Sequence, residues 1–541
     1  SVSTSMGKIW DQTTHHIKTI YGTSTTTYSH TPQVPLFGPG QGSTCGPIFW
    51  LLCFCLIVDL FDPELSTAMF ISACMGMVVR TMGMAFVDDS SLSVTSQYVR
   101  LPNLATNQND INDNNSAIES LSIIVQHWER LLFTTGGAIN MQKSFWYLMA
   151  WIWKNGQPIL APISKAPGNM DLTSGYNTFT TTVPRIEVTE AFRTLGVYIS
   201  PSGSQQKQIK ILRQYSEEYF INVSMSSLTP DEAYSSYMQF LRPKLTYPLP
   251  CCYLTQKQCQ HIQAPALAAL LPKMHLNQHT PHVIVFGEHK YGGLELPDLY
   301  TDQGYGQLKL LIGHLKMTDE IGDLILIAIS HLQIHVGSAK PFFTLPYTIY
   351  AKWIENNWLT ALWKHTHQLR IVVDVEKHWT LEMARTNDIF IMDEILNYNF
   401  SPKQLLLINS CRLYLQVILL SDITTADGKY ILSTVQKGVK PKHRSSTLYW
   451  PRQEKPPAQA WALWNTALAH ISTNHKLHQS LGPWLQVPHQ KWVWFQHVET
   501  QIVYHKVTNE KWQCFSPIQP PRDSTRITRQ SKTWYHRDSF S

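Results

Sequence analysis

Ionisable side chains are scarce in this sequence. Asp, Glu, Lys and Arg make up 15% of its 541 residues against 43% apolar ones. That balance excludes a self-repelling disordered chain and leaves enough apolar surface for two or three packed domains. Long hydrophobic runs are missing too. The stretch from Ile48 to Val58 stops at Asp59, about half of the ~20 residues that cross a bilayer, so it reads as a buried helix and no membrane partner is expected. No secretory leader precedes the cysteines. They number nine, which cannot all pair, and Cys53, Cys55 and Cys74 sit in apolar runs, so a reducing intracellular compartment, nucleus or cytoplasm, is expected. Zinc-module spacing is absent as well. Cys251, Cys252 and Cys259 lie near His261 without matching a common ligand pattern, and the 23 histidines form no Cys-Cys-His-Cys knuckle.

Against these absences the tetrad Phe86-Val87-Asp88-Asp89 stands out. It lies between an apolar run and the alternating Ser91-Leu92-Ser93-Val94-Thr95, the pattern of two short strands joined at an acidic turn. Adjacent carboxylates on a hairpin tip are costly unless a cation meets them, although Asp-Asp also marks ordinary solvated turns. Upstream, Gly38-Pro39-Gly40-Gln41-Gly42-Ser43-Thr44-Cys45-Gly46-Pro47 leads into the apolar stretch. Its glycines let the backbone approach a ligand closely, and Gly46-Pro47 suits a loop entering a helix. Downstream, an Asn/Asp-rich loop, residues 103–115, precedes a helix from Ser116. In it Ile118, Leu121, Val125, Trp128 and Leu132 recur at helical spacing, and it ends at Gly136-Gly137. Residues 139–144 read as a strand entry, and residues 192–199 as another strand closed by the turn Ser200-Pro201-Ser202-Gly203.

In this order the pieces resemble the reverse transcriptase of non-LTR (LINE-type) retrotransposons, starting part-way through its palm. Gly40-Gln41-Gly42 with Pro47 resembles the family's glycine-glutamine-glycine element, and Phe86-Val87-Asp88-Asp89 its aromatic-x-Asp-Asp element. Gly136 or Gly137 leading to Lys143 resembles its glycine-to-lysine element, and Leu195-Gly196 its primer-grip strand. Leu245-Thr246-Tyr247-Pro248-Leu249, Gln263-Ala264-Pro265-Ala266-Leu267 and Gly292-Gly293-Leu294-Glu295-Leu296-Pro297 resemble thumb and post-thumb phrases. The resemblance, which covers about residues 15–305, implies an α+β fold with a partial right-hand palm over residues 1–204, an antiparallel sheet with helices, and a helical thumb over 205–300. Apolar stretches and charge point to a mostly helical region over 301–428 and a basic, partly disordered tail over 429–541. The resemblance also implies RNA-directed DNA synthesis on an RNA template and DNA primer from deoxynucleoside triphosphates. Two magnesium ions would be held by Asp88 and Asp89. Lys143 would be a general acid for the pyrophosphate, unless it is only an exposed strand lysine. Gln41, Gly42 and Phe86 would line the forming base pair, and Leu195 and Gly196 would support the primer end.

Two departures bear on activity. The family's third carboxylate lies before the glycine-glutamine element, yet residues 1–37 contain only Asp11, outside any such phrase. The first residue is serine and no fingers-like region precedes the palm, so the chain reads as a fragment, inactive by itself. The helical expectation for the thumb rests on residues 205–214, on a capping box at Thr229-Pro230-Asp231-Glu232, and on a further helix from Thr255 toward Leu271 with a kink risk at Pro265. Charge is unevenly placed. Residues 429–541 hold 16 Lys/Arg against 5 Asp/Glu, a net of 16 − 5 = +11, so this tail with Trp450, Trp494, Trp512 and Trp534 suits phosphate contacts and base stacking. So few acids there exclude a ribonuclease H site, for which only Asp422 with Ala426-Asp427-Gly428 is suggestive. Two other classes stay open: a non-enzymatic nucleic-acid-binding protein, and a viral RNA-directed RNA polymerase, whose corresponding element usually reads Ser-Gly-x-x-x-Thr.

Overall fold

The structure is a computed structural model that describes residues 14–19, 22–29, 46–60, 67–86, 89–96, 109–134, 137–154, 157–175, 179–376, 379–425, 427–441, 448–483, 485, 494–496, 503–506, 511–515 and 532–536. Helices alternate with small antiparallel sheets, an α+β arrangement, and among the described residues no helix is long and apolar enough to cross a membrane. Asp11, Gln41, Gly42 and Asp88 lie outside the described residues.

The N-terminal half is built of hairpins. Strands β1 (Thr14–Thr19) and β2 (Gly22–Ser29) pair first, and helix α1 (Gly46–Asp59) follows. Strands β3 (Ala68–Ile71) and β4 (Val78–Thr81) form one hairpin, and β5 (Gly83–Phe86) and β6 (Asp89–Leu92) the next, with Phe86 opposite Asp89. The alternating pattern around the acidic turn thus does form a hairpin. The two hairpins are stitched where Ala68 N donates to Ser93 O at 3.2 Å and Ser93 N to Met82 O at 2.8 Å. Helix α2 (Asn109–Thr134) lies beneath, and Ile57 of α1 meets Ile124 and Trp128 of α2 in a small core flanked by Met82, Leu92 and Val94. Residues 109–115, expected as loop, are the first turns of α2. Further hairpins follow: β7 (Trp151–Lys154) with β8 (Gln157–Leu160), β9 (Asp171–Ser174) with β10 (Phe179–Thr182), and β11 (Phe192–Thr194) with β12 (Val197–Ile199). All the strands through residue 199 stay in two-stranded sheets, so the single antiparallel sheet expected for residues 1–204 does not form among the described residues.

A helical body follows. Helix α3 (Gln206–Ser224) packs on α6 (Gln256–Lys273) around Leu212, Tyr237, Leu245, Ile262 and Leu270. Between them run α4 (Pro230–Ser236), a π turn over Tyr237–Leu241, and α5 (Arg242–Thr246). The expected capping box is present: the Thr229 side chain accepts from Glu232 N, and Glu232 accepts from Thr229 N at 2.8 Å. Helix α6 has its own box, Thr255 with Gln258, and runs through Pro265 without ending.

Helices α7 (Leu299–Met317), α8 (Glu320–Val336), α9 (Trp358–Gln368) and α10 (Pro402–Leu415) make the next part mostly helical, as its apolar stretches suggest. Folded structure does not stop at residue 428. Helix α11 (Ala458–Ile471) carries Trp464, Ala467, Leu468 and Ile471 into the same core as Met392, Ile408 and Leu415, joined by Ile431, Val435, Leu477 and Leu481, so these residues belong to a core rather than to a tail. Trp450 is buried beside Ala73, Phe390 and Leu419, which removes it as an exposed stacking platform. Beyond, four strands, β13 (Trp494–Gln496), β14 (Val503–Lys506), β15 (Lys511–Phe515) and β16 (Lys532–His536), form an antiparallel meander in chain order. Its register sets Trp494, His505, Gln513 and Trp534 in one cross-strand row.

Candidate nucleic-acid interface

The acidic hairpin is anchored from below. The Trp128 indole donates to Ser90 Oγ at 3.1 Å, fixing the strand that carries Asp89 onto α2, while Phe54 meets the same indole edge-on at 5.9 Å. Gly83 is obligatory here, because a Cβ at that position would fall on the Ser91 carbonyl. Asp89 is exposed at the start of β6. It is the one described carboxylate of the acidic turn, and among the described residues no three His, Cys, Asp or Glu side chains converge as a metal site.

Lys143 does not lie on a strand. Residues 141–143 form a turn in which Lys143 N donates to Asn140 O at 3.0 Å, and Ser144 N to the same oxygen at 3.0 Å. Asn140 accepts these bonds because its Oδ1 and carbonyl both face the turn, an Asx arrangement that competes with extended structure. The lysine itself is exposed, and its segment links the two hairpins of interest. Ile139 packs with the core under the acidic hairpin, and Phe145 lies against Phe192 of β11 with ring centroids 3.8 Å apart.

Leu195 and Gly196 are not within a strand but form the two-residue tip between β11 and β12. Both have positive φ, 48° and 86°, as a type I′ turn requires. Leucine pays strain in this conformation, and the surroundings hold it there. Tyr247, at the end of α5, donates its hydroxyl to Leu195 O at 2.8 Å. Gln208 of α3 accepts from Tyr198 N at 2.8 Å, and Tyr253 donates to Gly203 O. Lys207 lies over the Tyr198 ring at 5.8 Å and Lys244 over the Tyr215 ring at 5.8 Å, within cation–π range.

The two chain segments that meet here carry one sign of charge. Residues 192–210 contain Arg193, Lys207 and Lys210 and no acid; residues 237–261 contain Arg242, Lys244 and Lys257 and no acid. Of these, Arg242 is paired with Asp302 at 3.6 Å. Exposed lysines and arginine beside aromatic rings are what a phosphate backbone with stacked bases requires. Charge counted over the whole chain points to its C-terminal end, whereas the local signal is the pair of acid-free segments, which the fold brings together at Tyr247. Burial pushes Cys252 up to about 12, and Cys259 is raised further still, so neither is a ready thiolate. No family model, no curated protein and no solved structure matches the chain.

Proposed function

We propose that this chain binds a primer–template, an RNA strand paired with a DNA primer, and that it derives from an RNA-directed DNA polymerase of the non-LTR retrotransposon type. One observation carries this reading: the two acid-free segments with aromatic rings that meet where the Leu195-Gly196 hairpin packs on the helices after it, following the acidic hairpin and its two supporting helices in the chain. On this reading Leu195 and Gly196 would support the primer end, Gln41, Gly42 and Phe86 would line the base pair being formed, and Lys143 would be the general acid for the pyrophosphate. Two magnesium ions, with Asp88 and Asp89 among their ligands, would supply the nucleotidyl-transfer chemistry. Since residues 1–37 offer only Asp11, outside any aspartate phrase, as a further carboxylate, the 541-residue chain is expected to bind primer–template without extending it.

The test is a fluorescence-anisotropy titration with an RNA–DNA duplex, together with primer extension on RNA in magnesium. Binding that weakens steeply with salt supports the reading, as does extension by a protein carrying more of the reading frame upstream that is lost in Asp88→Ala. Robust extension by the 541-residue chain would mean that the missing carboxylate is present elsewhere in it. The acid-free segments with Lys207 over Tyr198 and Lys244 over Tyr215 also fit a second reading, a purely nucleic-acid-binding protein descended from such an element. The same titration without extension in any longer form would select it.

A further inference from the structure

The hairpin of residues 192–199 has little of its own to hold it. It is a single pair of three-residue strands, and Phe192, Leu195 and Ile199 are all exposed. Two-stranded hairpins are marginal in water, so what fixes its position must come from outside it. The helical body supplies this through side chains that bond the hairpin's backbone. Arg193 opposite Tyr198 is the non-bonded pair of a two-residue hairpin, so the Tyr198 N–H points away from β11, and Gln208 accepts it. The tip itself is held by one residue. Tyr247 bonds Leu195 O, and its Cε1 stands 3.0 Å from where a Cβ on Gly196 would be, so its ring fills the space that glycine leaves. Yet Tyr247 is 61% exposed and contributes little to the core.

We propose that Tyr247 is a positioning residue that locks the Leu195-Gly196 tip to the helical body, so that the cationic strip of Arg193, Lys207 and Lys244 meets nucleic acid as one rigid surface. This rests on the primer–template reading. Tyr247 acts through the Leu195 carbonyl and not through phosphate, and that distinction can be measured.

The experiment uses the full chain as wild type, Tyr247→Phe and Tyr247→Ala, with amide hydrogen exchange across residues 192–199 and anisotropy titrations of an RNA–DNA duplex at several salt concentrations. Tyr247→Phe removes one exposed hydrogen bond and should speed exchange at the hairpin roughly two- to tenfold, with Tyr247→Ala faster again. Duplex affinity should fall by a similar factor while the slope of log affinity against log salt stays at the wild-type value, because no phosphate contact is lost. Exchange unchanged at residues 192–199 in Tyr247→Ala overturns the lock. Faster exchange with unchanged affinity, or a shallower salt slope, overturns the positioning role. A wild-type chain that binds no duplex at low salt sinks the primer–template reading instead, and the exchange data then still report whether the tip is locked.

Discussion

Residues 68–199 and residues 206–483 use opposite means to stay folded. Apart from the β3–β4 turn, where Ala73 is buried among Ile334, Phe390 and Leu419 of the helical side, the first region holds hairpins together by local register and a few anchoring bonds, over two small cores. The second buries whole aromatic side chains, Trp363, Trp464, Tyr237 and Phe342 among them, in continuous cores between helices. The contrast teaches where stability and adaptability reside. The proposed nucleic-acid surface sits on the seam, with its tip on the weakly held side and its anchors on the strongly held one.

The sharpest way to break this contrast is a matched pair of tryptophan deletions. Trp464→Ala removes a side chain with 0% exposure from the core shared by α10 and α11 and should cost about 3 to 5 kcal/mol of unfolding free energy. Trp151→Ala, on β7, should fall within about 0.5 kcal/mol of wild type. Denaturant titration of both variants decides it. Equal losses would mean that residues 68–199 and 206–483 unfold as one tightly coupled unit.

Acid should act mainly on the helical side. Burial, with Arg412 and His331 beside it, pushes His335 down to about 4. The folded state therefore binds this proton later than the unfolded chain, whose imidazole takes it near the ordinary histidine value. Stability is full above about pH 6.5 and is lost as pH falls toward 4, by roughly 1 to 3 kcal/mol, the lower part of that range suiting a ring with some solvent access. His335→Leu should flatten the slope of stability against pH across that window. A variant with the wild-type slope would assign the acid sensitivity elsewhere.

The sequence announced these two regions unequally. Helix entries with capping chemistry were readable residue by residue, as at Thr229 with Glu232, because a cap is local and its partner is three positions away. The acidic hairpin was readable from alternation. The Asn/Asp-rich start of α2 was not, since Asn and Asp favour turns in isolation and only the packing of Ile118, Ile124 and Trp128 carries the helix. Leu195 at a positive φ was equally hidden, because leucine has no preference for a turn and the conformation depends on Tyr247, far along the chain. Residues 429–483 were masked by their charge. Trp464, Ala467, Leu468 and Ile471 have the spacing of a buried helix face, but a count of lysines and arginines does not see it. Trp450 is held by a long-range contact, with Tyr449 N donating to Ala73 O at 2.8 Å, that no local pattern could supply. Of the candidate site, Leu195-Gly196 and Lys143 stand out by motif, whereas the contacts of Tyr247, Gln208 and Lys244 arise only when the hairpin and the helices meet.

Glycine substitutions give the finest measure of the contrast. Gly83→Ala would drive a methyl group into the Ser91 carbonyl of the adjoining strand, and backbone cannot swing aside as a flexible side chain can, so the acidic hairpin must open or shift. The expected cost is about 1 to 3 kcal/mol, concentrated locally. Gly313 lies within α7 with nothing inside 4 Å of an added Cβ, so Gly313→Ala should instead stabilise by about 0.5 to 1 kcal/mol through helix propensity alone. Amide exchange separates the two. Gly83→Ala should accelerate exchange over residues 83–92 while leaving α7 untouched, and Gly313→Ala should slow α7 without altering the hairpin. Should Gly83→Ala speed exchange in α7 as well, the hairpin would be part of the cooperative core, and the division between a weakly held and a strongly held region would have to be redrawn.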